Sequence, residues 1–392
     1  MINFILFYFF IQCNKSSNSL SNLLSGDFSK EIFEQVRKII PKGKLSIFFS
    51  STFTDSHIER NIIMEEILPE MQIQAKPFGI PVTFVDMRFG VKDENTKDHL
   101  TWIACAEQIK CCFEDSDGMF FMSLQGDKYG YRPLPKWIFQ EIVDARLKDV
   151  QDDSLKSMFF EWYLLDENNI PPRYSLKPLL DKDDPVFWGK ALPSLRELLG
   201  EIQFDSASSY DIKVGHSVTE YEFLYAMQLS PSRSAWFKRT FESEITTSQD
   251  TKGEYCDFLN DSATAMKHKH LIDQMTVLIP PDAVHSMTAP ALKSYMEKDN
   301  RLEGYRIQFR NAMKAILNKE LETVVEKTRL WNETGNGLGL SGVDLNEMVH
   351  HCRVLEDKCR TFQGRLELIN SCIDHIKGYH DHNISIYYHF LS

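Results

Sequence analysis

The sequence predicts an α/β fold organised on a parallel β-sheet, and three observations carry that expectation. Residues 45–49 and 82–87 are apolar runs rich in strand-forming side chains, and between them Ile58, Ile62, Ile63, Ile67 and Leu68 recur at helical spacing. Residues 118–124 supply a third apolar run, preceded by a second helical pattern over 99–112 that carries Ile103, Glu107 and Cys111. Short strands alternating with amphipathic helices are the pattern of consecutive βαβ units. Ligands of such sheets bind beyond the carboxyl ends of the strands, which singles out the turn Ser50, Ser51, Thr52, Thr54 and Asp55 after the first run and Asp86 with Arg88 after the second.

Taken in order, the chain starts with a nearly all-apolar stretch, 2–11, which falls short of the ~20 residues that span a bilayer. No Lys or Arg precedes it and no small-x-small cleavage site follows, so an unstructured start is favoured over a signal peptide. Residues 14–27 are rich in Ser and Asn, and 28–40 read as a short helix. Ser56 and Glu59 have capping-box spacing for the first sheet helix, and Pro69 is expected to kink or close that helix. A polar loop covers 91–98. Residues 125–135 form a loop dense in turn formers, 137–147 a helix, and 154–165 another that stops ahead of Pro171 and Pro172.

Leu195, Leu198 and Leu199 mark a helix over 193–202, and a second capping box, Ser217 and Glu220, opens one that runs to Leu229. Residues 235–241 alternate well enough to be a strand that rejoins the sheet. A helix over 262–279 comes next. The long helix over 302–328 carries Tyr305, Phe309, Met313, Ile316, Leu317, Leu321 and Val324 on one side. Gly335, Gly337 and Gly339 mark a linker, and 343–379 returns to helix. The domain map is therefore a leader at 1–43, an α/β domain with a helical insertion at 44–241, a helical region at 242–334, a glycine-rich linker at 335–342 and a further helical segment at 343–392.

Composition excludes several classes. A chain of 392 residues holds two or three domains at ~100–200 residues each. With 43% hydrophobic and 26% charged residues it is globular, and a formal net charge of −12 argues against nucleic-acid binding. The eight cysteines are spread thinly, which suits reduced thiols in a cytoplasmic protein rather than a disulfide framework. His350, His351, Cys352, Cys359, Cys372 and His375 lack the short Cys-x-x-Cys spacing of structural zinc, so no metal is expected. No later stretch is long enough to cross a membrane.

Candidate sites are few. Ser50, Ser51 and Thr52 could direct hydroxyls, with helix-start amides, at a phosphate or carboxylate, although such residues more often cap and turn the chain. Asp86 and Arg88 are expected chiefly to fix the loop that follows them. Tyr129 and Tyr131 flank Gly130, which suggests a tight turn with exposed aromatic faces; with Arg132 they are candidates for a partner surface. No Gly-x-Ser-x-Gly is present to mark a serine nucleophile.

Five blocks in order resemble the N-terminal region of the NACHT and WD-repeat protein family: residues 47–55 with Glu59, Arg60 and Asn61; 85–91, where the family more often has Trp in place of Phe89; 125–135; 162–166 with Pro171, Pro172 and Tyr174; and 217–220. They cover about 44–241. The resemblance implies a flavodoxin- or Toll/interleukin-receptor (TIR)-like sheet domain placed ahead of a signal-transducing NTPase and a WD-repeat sensor. It implies a non-catalytic adaptor acting through contacts with other signalling proteins and by self-association, with no nucleic acid or membrane. Phe362, Gly364 and Arg365 resemble the element that precedes the phosphate loop in such NTPases. Since no Gly-x-x-x-x-Gly-Lys-Ser/Thr occurs, the chain is expected to stop short of the NTPase, and ATP with magnesium is expected only there. The alternative implied by the TIR resemblance is an NAD-cleaving enzyme using Glu107, with Asp86 and Arg88 lining the same cleft.

Overall fold

The computed structural model describes residues 41–89, 99–179, 184–200, 213–250, 252–259 and 261–337, with single residues at 181, 202, 341, 343, 344 and 347. The leader before residue 41, the cysteine–histidine set at 350–375 and the NTPase-like element at 362–365 lie outside the described residues. Lys42–Thr328 forms one compact unit.

Its centre is a parallel sheet in the order β2-β1-β3-β7-β8, made of β1 (Leu45–Ser50), β2 (Val82–Val85), β3 (Phe121–Gln125), β7 (Ser234–Phe241) and β8 (Val284–Ala289). The chain steps one way from β1 to β2 and the other way from β3 onward, so the direction of winding reverses between β1 and β3. Residues of the inner strands alternate between two cores. Ile47, Phe49, Met122, Leu124 and Phe237 face one layer, and Phe48, Phe121 and Trp236 face the other. Burial on both faces is why these strands read as unbroken apolar runs.

The first layer holds α1 (His57–Asn61), α2 (Leu68–Ala75), α9 (Leu292–Glu297) and α10 (Asn300–Gly337). Along α10, Leu302, Tyr305, Phe309, Met313, Leu317, Leu321 and Val324 all pack into that core. Burial of each such side chain contributes about 1.5–3 kcal/mol. The second layer holds α3 (Thr101–Asp115), α7 (Val218–Leu229) and α8 (Ser262–Leu278).

A smaller body with its own core is inserted between β3 and α7. It contains the antiparallel sheet β4-β6-β5, with β4 (Trp137–Phe139), β5 (Tyr163–Asp166) and β6 (Arg173–Leu176), and the helices α4 (Gln140–Asp149), α5 (Asp153–Trp162) and α6 (Leu192–Leu199).

Several expectations change here. Residues 137–139 and 163–165, expected as helix, pair as strands through β6. The region 242–334 is not wholly helical, because β8 extends the sheet by a fifth strand, and α10 continues through Gly335 to Gly337 where a linker was expected. Pro69 does not end its helix. A π-helical turn over Ile62–Ile67 precedes it, and another over Phe187–Ala191 precedes Pro193. In each case the wider turn contains the carbonyl four residues back that a proline ring would crowd.

Of the Ser217 capping box the N-cap half forms, with the Glu220 N–H donating to Ser217 Oγ at 3.2 Å, while the Ser217 N–H donates to the Tyr129 hydroxyl, which itself donates to Glu220. The Ser56 box does not form. Ser56 makes no side-chain cap, and Glu59 is drawn into the core by stronger donors.

Candidate functional site: the carboxyl edge of the sheet

The loops after β1, β2 and β3 meet where the winding reverses, the usual ligand position in such sheets. Two buried guanidinium groups organise this edge. Arg60, on α1, reaches across the end of β1. Its Nε donates to Ser51 Oγ at 2.6 Å, its Nη2 to the carbonyls of Phe49 and Ser51 at 3.1 Å each, and its Nη1 to Asp86. Asp86 also accepts from the Arg88 N–H at 3.0 Å and from Arg88 Nε at 2.8 Å. Burial pushes the Asp86 pKa up, but its bonds to Arg88 and the Arg60 charge outweigh this and hold it below the ordinary aspartate value. Asp86 and Arg88 thus pair directly, with Arg60 as the third member, and the loop they were expected to fix lies outside the described residues.

The second group, Arg239 on β7, stands between Asp55 and Glu59, with Nη2 2.6 Å from Asp55 Oδ2 and Nη1 3.4 Å from Glu59 Oε1. Glu59 in turn accepts from the hydroxyls of Tyr295 at 2.8 Å and Tyr305 at 2.7 Å, so α9 and α10 are bonded to the start of α1. Burial opposes the Arg239 charge, yet Glu59 and Asp55 together more than compensate and raise its pKa above the ordinary value. Gly126 leaves room beside it, since a Cβ there would lie 2.8 Å from Arg239 Nη2 and would push the guanidinium aside.

A buried carboxyl completes the edge. Glu222 of α7 accepts from Ser50 Oγ at 2.6 Å. Burial raises its pKa above the ordinary 4.5, partly offset by hydrogen bonds from Ser50 and Cys105. The Cys105 thiol is pushed well above 9.0 by burial and by Glu222, which makes it a poor nucleophile.

The 125–131 loop closes over β1. Tyr129 N–H and Gly130 N–H donate to Asp257 at 2.9 and 2.8 Å, Thr219 Oγ1 donates to the Tyr129 carbonyl at 2.9 Å, and Lys128 Nζ donates to Thr54 Oγ1 at 2.7 Å. Gly130 has φ +99°, and a Cβ there would lie 2.8 Å from the Thr52 methyl. The two loops touch beyond the end of β1.

The sequence-derived candidates fall as follows. Ser50, Ser51 and Asp86 are buried, and the hydroxyls of Ser50, Ser51 and Thr52 donate to Glu222, to the Thr52 carbonyl and to Asp55. Tyr129 is not an exposed aromatic but wholly buried, its hydroxyl donating to Glu220, because the loop folds under α7. Tyr131 is exposed, with the Arg196 guanidinium 5.7 Å from its ring centre, and Arg132 lies 3.9 Å from Asp261. Glu107 is exposed on α3, whereas Cys105, Ile109 and Cys112 of that helix are buried. Among the described residues no cluster of side chains could hold a metal ion, and no helix is long and apolar enough to cross a membrane.

Sequence reasoning did not single out Arg239, Glu222, Tyr295 or Tyr305 as site residues. The signal was periodicity. Glu59 lies three and four residues before Ile62 and Ile63, and Arg239 alternates with Phe237 and Phe241, so both charges occupy core-facing positions.

No protein-family model and no solved structure matches the chain. It is 33% identical over 124 residues to mouse NACHT domain- and WD repeat-containing protein 1, covering 31% of this chain and 8% of that protein. It is 26% identical over 164 residues to human NACHT and WD repeat domain-containing protein 2, covering 40% of this chain and 9% of the relative. Rat telomerase protein component 1 is 33% identical over 90 residues, which are 23% of this chain and 3% of that protein. The chain spans less than a tenth of these relatives' length, and over part of its own it is similar to NACHT and WD-repeat proteins.

Proposed function

We propose that this chain is the N-terminal, TIR-like module of a NACHT/WD-repeat signalling protein, and that it works through protein contacts rather than by catalysis. One observation carries the second part: the groups at the carboxyl edge are engaged with one another. Arg60 is held by Asp86 and Ser51, Arg239 by Asp55 and Glu59, and Glu222 by Ser50. A ligand entering there would have to replace charge-assisted bonds between buried partners, at about 3–5 kcal/mol for each pair broken. The partial similarity to NACHT and WD-repeat proteins supports the first part. ATP with magnesium then belongs to a separate NTPase domain of such a protein. Partners are other signalling proteins and further copies of the module. The buried thiols of Cys105, Cys112 and Cys256, none in a disulfide, suit a cytoplasmic setting.

The test is to incubate the 392-residue chain with NAD, both dilute and cross-linked into oligomers, and to assay nicotinamide. The expected result is no release from wild type, Glu107→Ala or Glu222→Gln. Release by wild type that is lost in Glu107→Ala would refute a non-catalytic role.

A further inference from the structure

The small antiparallel sheet ends on β5, and that edge is apolar on both faces. Leu164 is 54% and Leu165 37% exposed, Phe160 at the end of α5 is 50% exposed, and Ile170 in the β5–β6 turn is 98% exposed. The register sets Leu164 opposite Ser175 and Leu165 opposite Tyr174, so the two leucines lie on opposite faces. The Phe160 ring, 6.2 Å from that of Tyr174, shares the Leu165 side.

The backbone is available too. Lys177 N–H donates to the Trp162 carbonyl and Leu176 N–H to the Lys136 carbonyl, so β6 turns alternately to β5 and to β4. By that alternation the N–H and C=O of Leu165 point away from β6, as does the Tyr163 carbonyl. The Tyr163 N–H is taken by the Phe159 carbonyl. Edge strands are normally guarded by lysine, proline or a bulge, and Tyr163–Asp166 has neither lysine nor proline.

Charge identifies the occupant. Residues 149–170 carry Asp149, Asp152, Asp153, Glu161, Asp166 and Glu167 against Lys156, and the facing strand adds Arg173 opposite Asp166 and Lys177 beside Glu161, which leaves the edge net acidic. Glu161 and Glu167 are exposed at either end of the leucine pair. A second copy would bring the same negative charge, and an anionic lipid surface would be repelled. We propose that β5 is a docking edge for an extended segment of a partner protein, an apolar pair flanked on both sides by Lys or Arg, which adds as a strand beside Leu164 and Leu165. The mode is strand addition, in which main-chain bonds supply affinity and side chains supply choice. It rests on the reading of the chain as a contact module and gives that module a partner chemistry.

The experiment uses the full chain and two fluorescein-labelled peptides, Lys-Lys-Thr-Val-Val-Thr-Lys-Lys and its counterpart with Glu for every Lys, followed by anisotropy. The basic peptide should bind, more weakly as salt rises, and the acidic one should not. N-methylation of a central valine should abolish binding. Leu164→Ser with Leu165→Ser should weaken it at least about tenfold while the chain stays folded, with Tm lowered by no more than roughly 10 °C because both side chains are already partly exposed. Glu161→Lys with Glu167→Lys should invert the preference between peptides. The proposal is overturned if the basic peptide fails to bind wild type or binds these variants equally. It is also overturned if the chain forms a dimer that the leucine substitutions dissolve, because a second copy would then own the edge. Absent peptide binding with no nicotinamide release overturns this proposal alone; nicotinamide release overturns the non-catalytic reading itself.

Discussion

Replacing Arg239 with Met is the most direct test of the electrostatics that close the carboxyl edge. The Arg239 side chain is 4% exposed and its partners Asp55 and Glu59 are 2% and 3% exposed, so the substitution leaves two carboxylates buried without their cation. Removing one partner of a buried ion pair costs about 3–5 kcal/mol. The guanidinium also lies 4.9 Å from the Phe241 ring centre and 5.5 Å from that of Tyr295. Those contacts add about 0.5–1 kcal/mol each. Methionine keeps most of the methylene packing and adds no further loss, so the expected total is about 4–7 kcal/mol. At about 2–4 °C per kcal/mol for a large domain, Tm should fall by roughly 8–28 °C in a circular-dichroism melt at neutral pH. Adding Asp55→Asn and Glu59→Gln to Arg239→Met removes the orphaned charges and should recover about half of the loss. A drop below about 4 °C, or no recovery on neutralising the acids, would show that the cluster is not a paired, desolvated one.

Glu222→Gln tests the raised carboxyl. Its folded pKa lies above the ordinary 4.5, so the unfolded chain ionises first, and wild-type stability should fall as pH climbs from there through the folded value. The glutamine variant should lack that component, so a Tm difference between the two that stays constant across the window would contradict the assignment. Gly130→Ala places a Cβ against Thr52 at a position with φ +99°, and urea unfolding should show a loss of about 1–3 kcal/mol. Glu107→Ala removes an exposed side chain that has no hydrogen bond or ion pair among the described residues, and its urea midpoint should match wild type to within about 0.5 kcal/mol.

Much of this fold is readable locally. The seven-residue stripe of α10 carries a helical period, and the runs that become β1, β2 and β3 are too short and too evenly apolar for a surface helix. The Ser217 cap forms because its donor and acceptor are three residues apart on one chain segment. β8 was not legible, since Val284–Ala289 is a short mixed run whose pairing with β7 lies more than forty residues back in sequence. The strands β4 and β5 were hidden for a related reason, because each adjoins a helix end and gains strand identity only from β6.

The sequence alone determined the class of the fold and the strands of the parallel sheet except β8, because apolar runs, periodicity and capping act within one segment. Tertiary structure alone decided what the residues at the sheet's carboxyl edge do. Glu59 is a helix-start residue by spacing, but Arg239, Tyr295 and Tyr305 bind it; Tyr129 is a loop aromatic by composition, but α7 covers it. Such outcomes depend on which distant donors arrive beside a buried charge, since a charge taken out of water must find its partner wherever the fold supplies one.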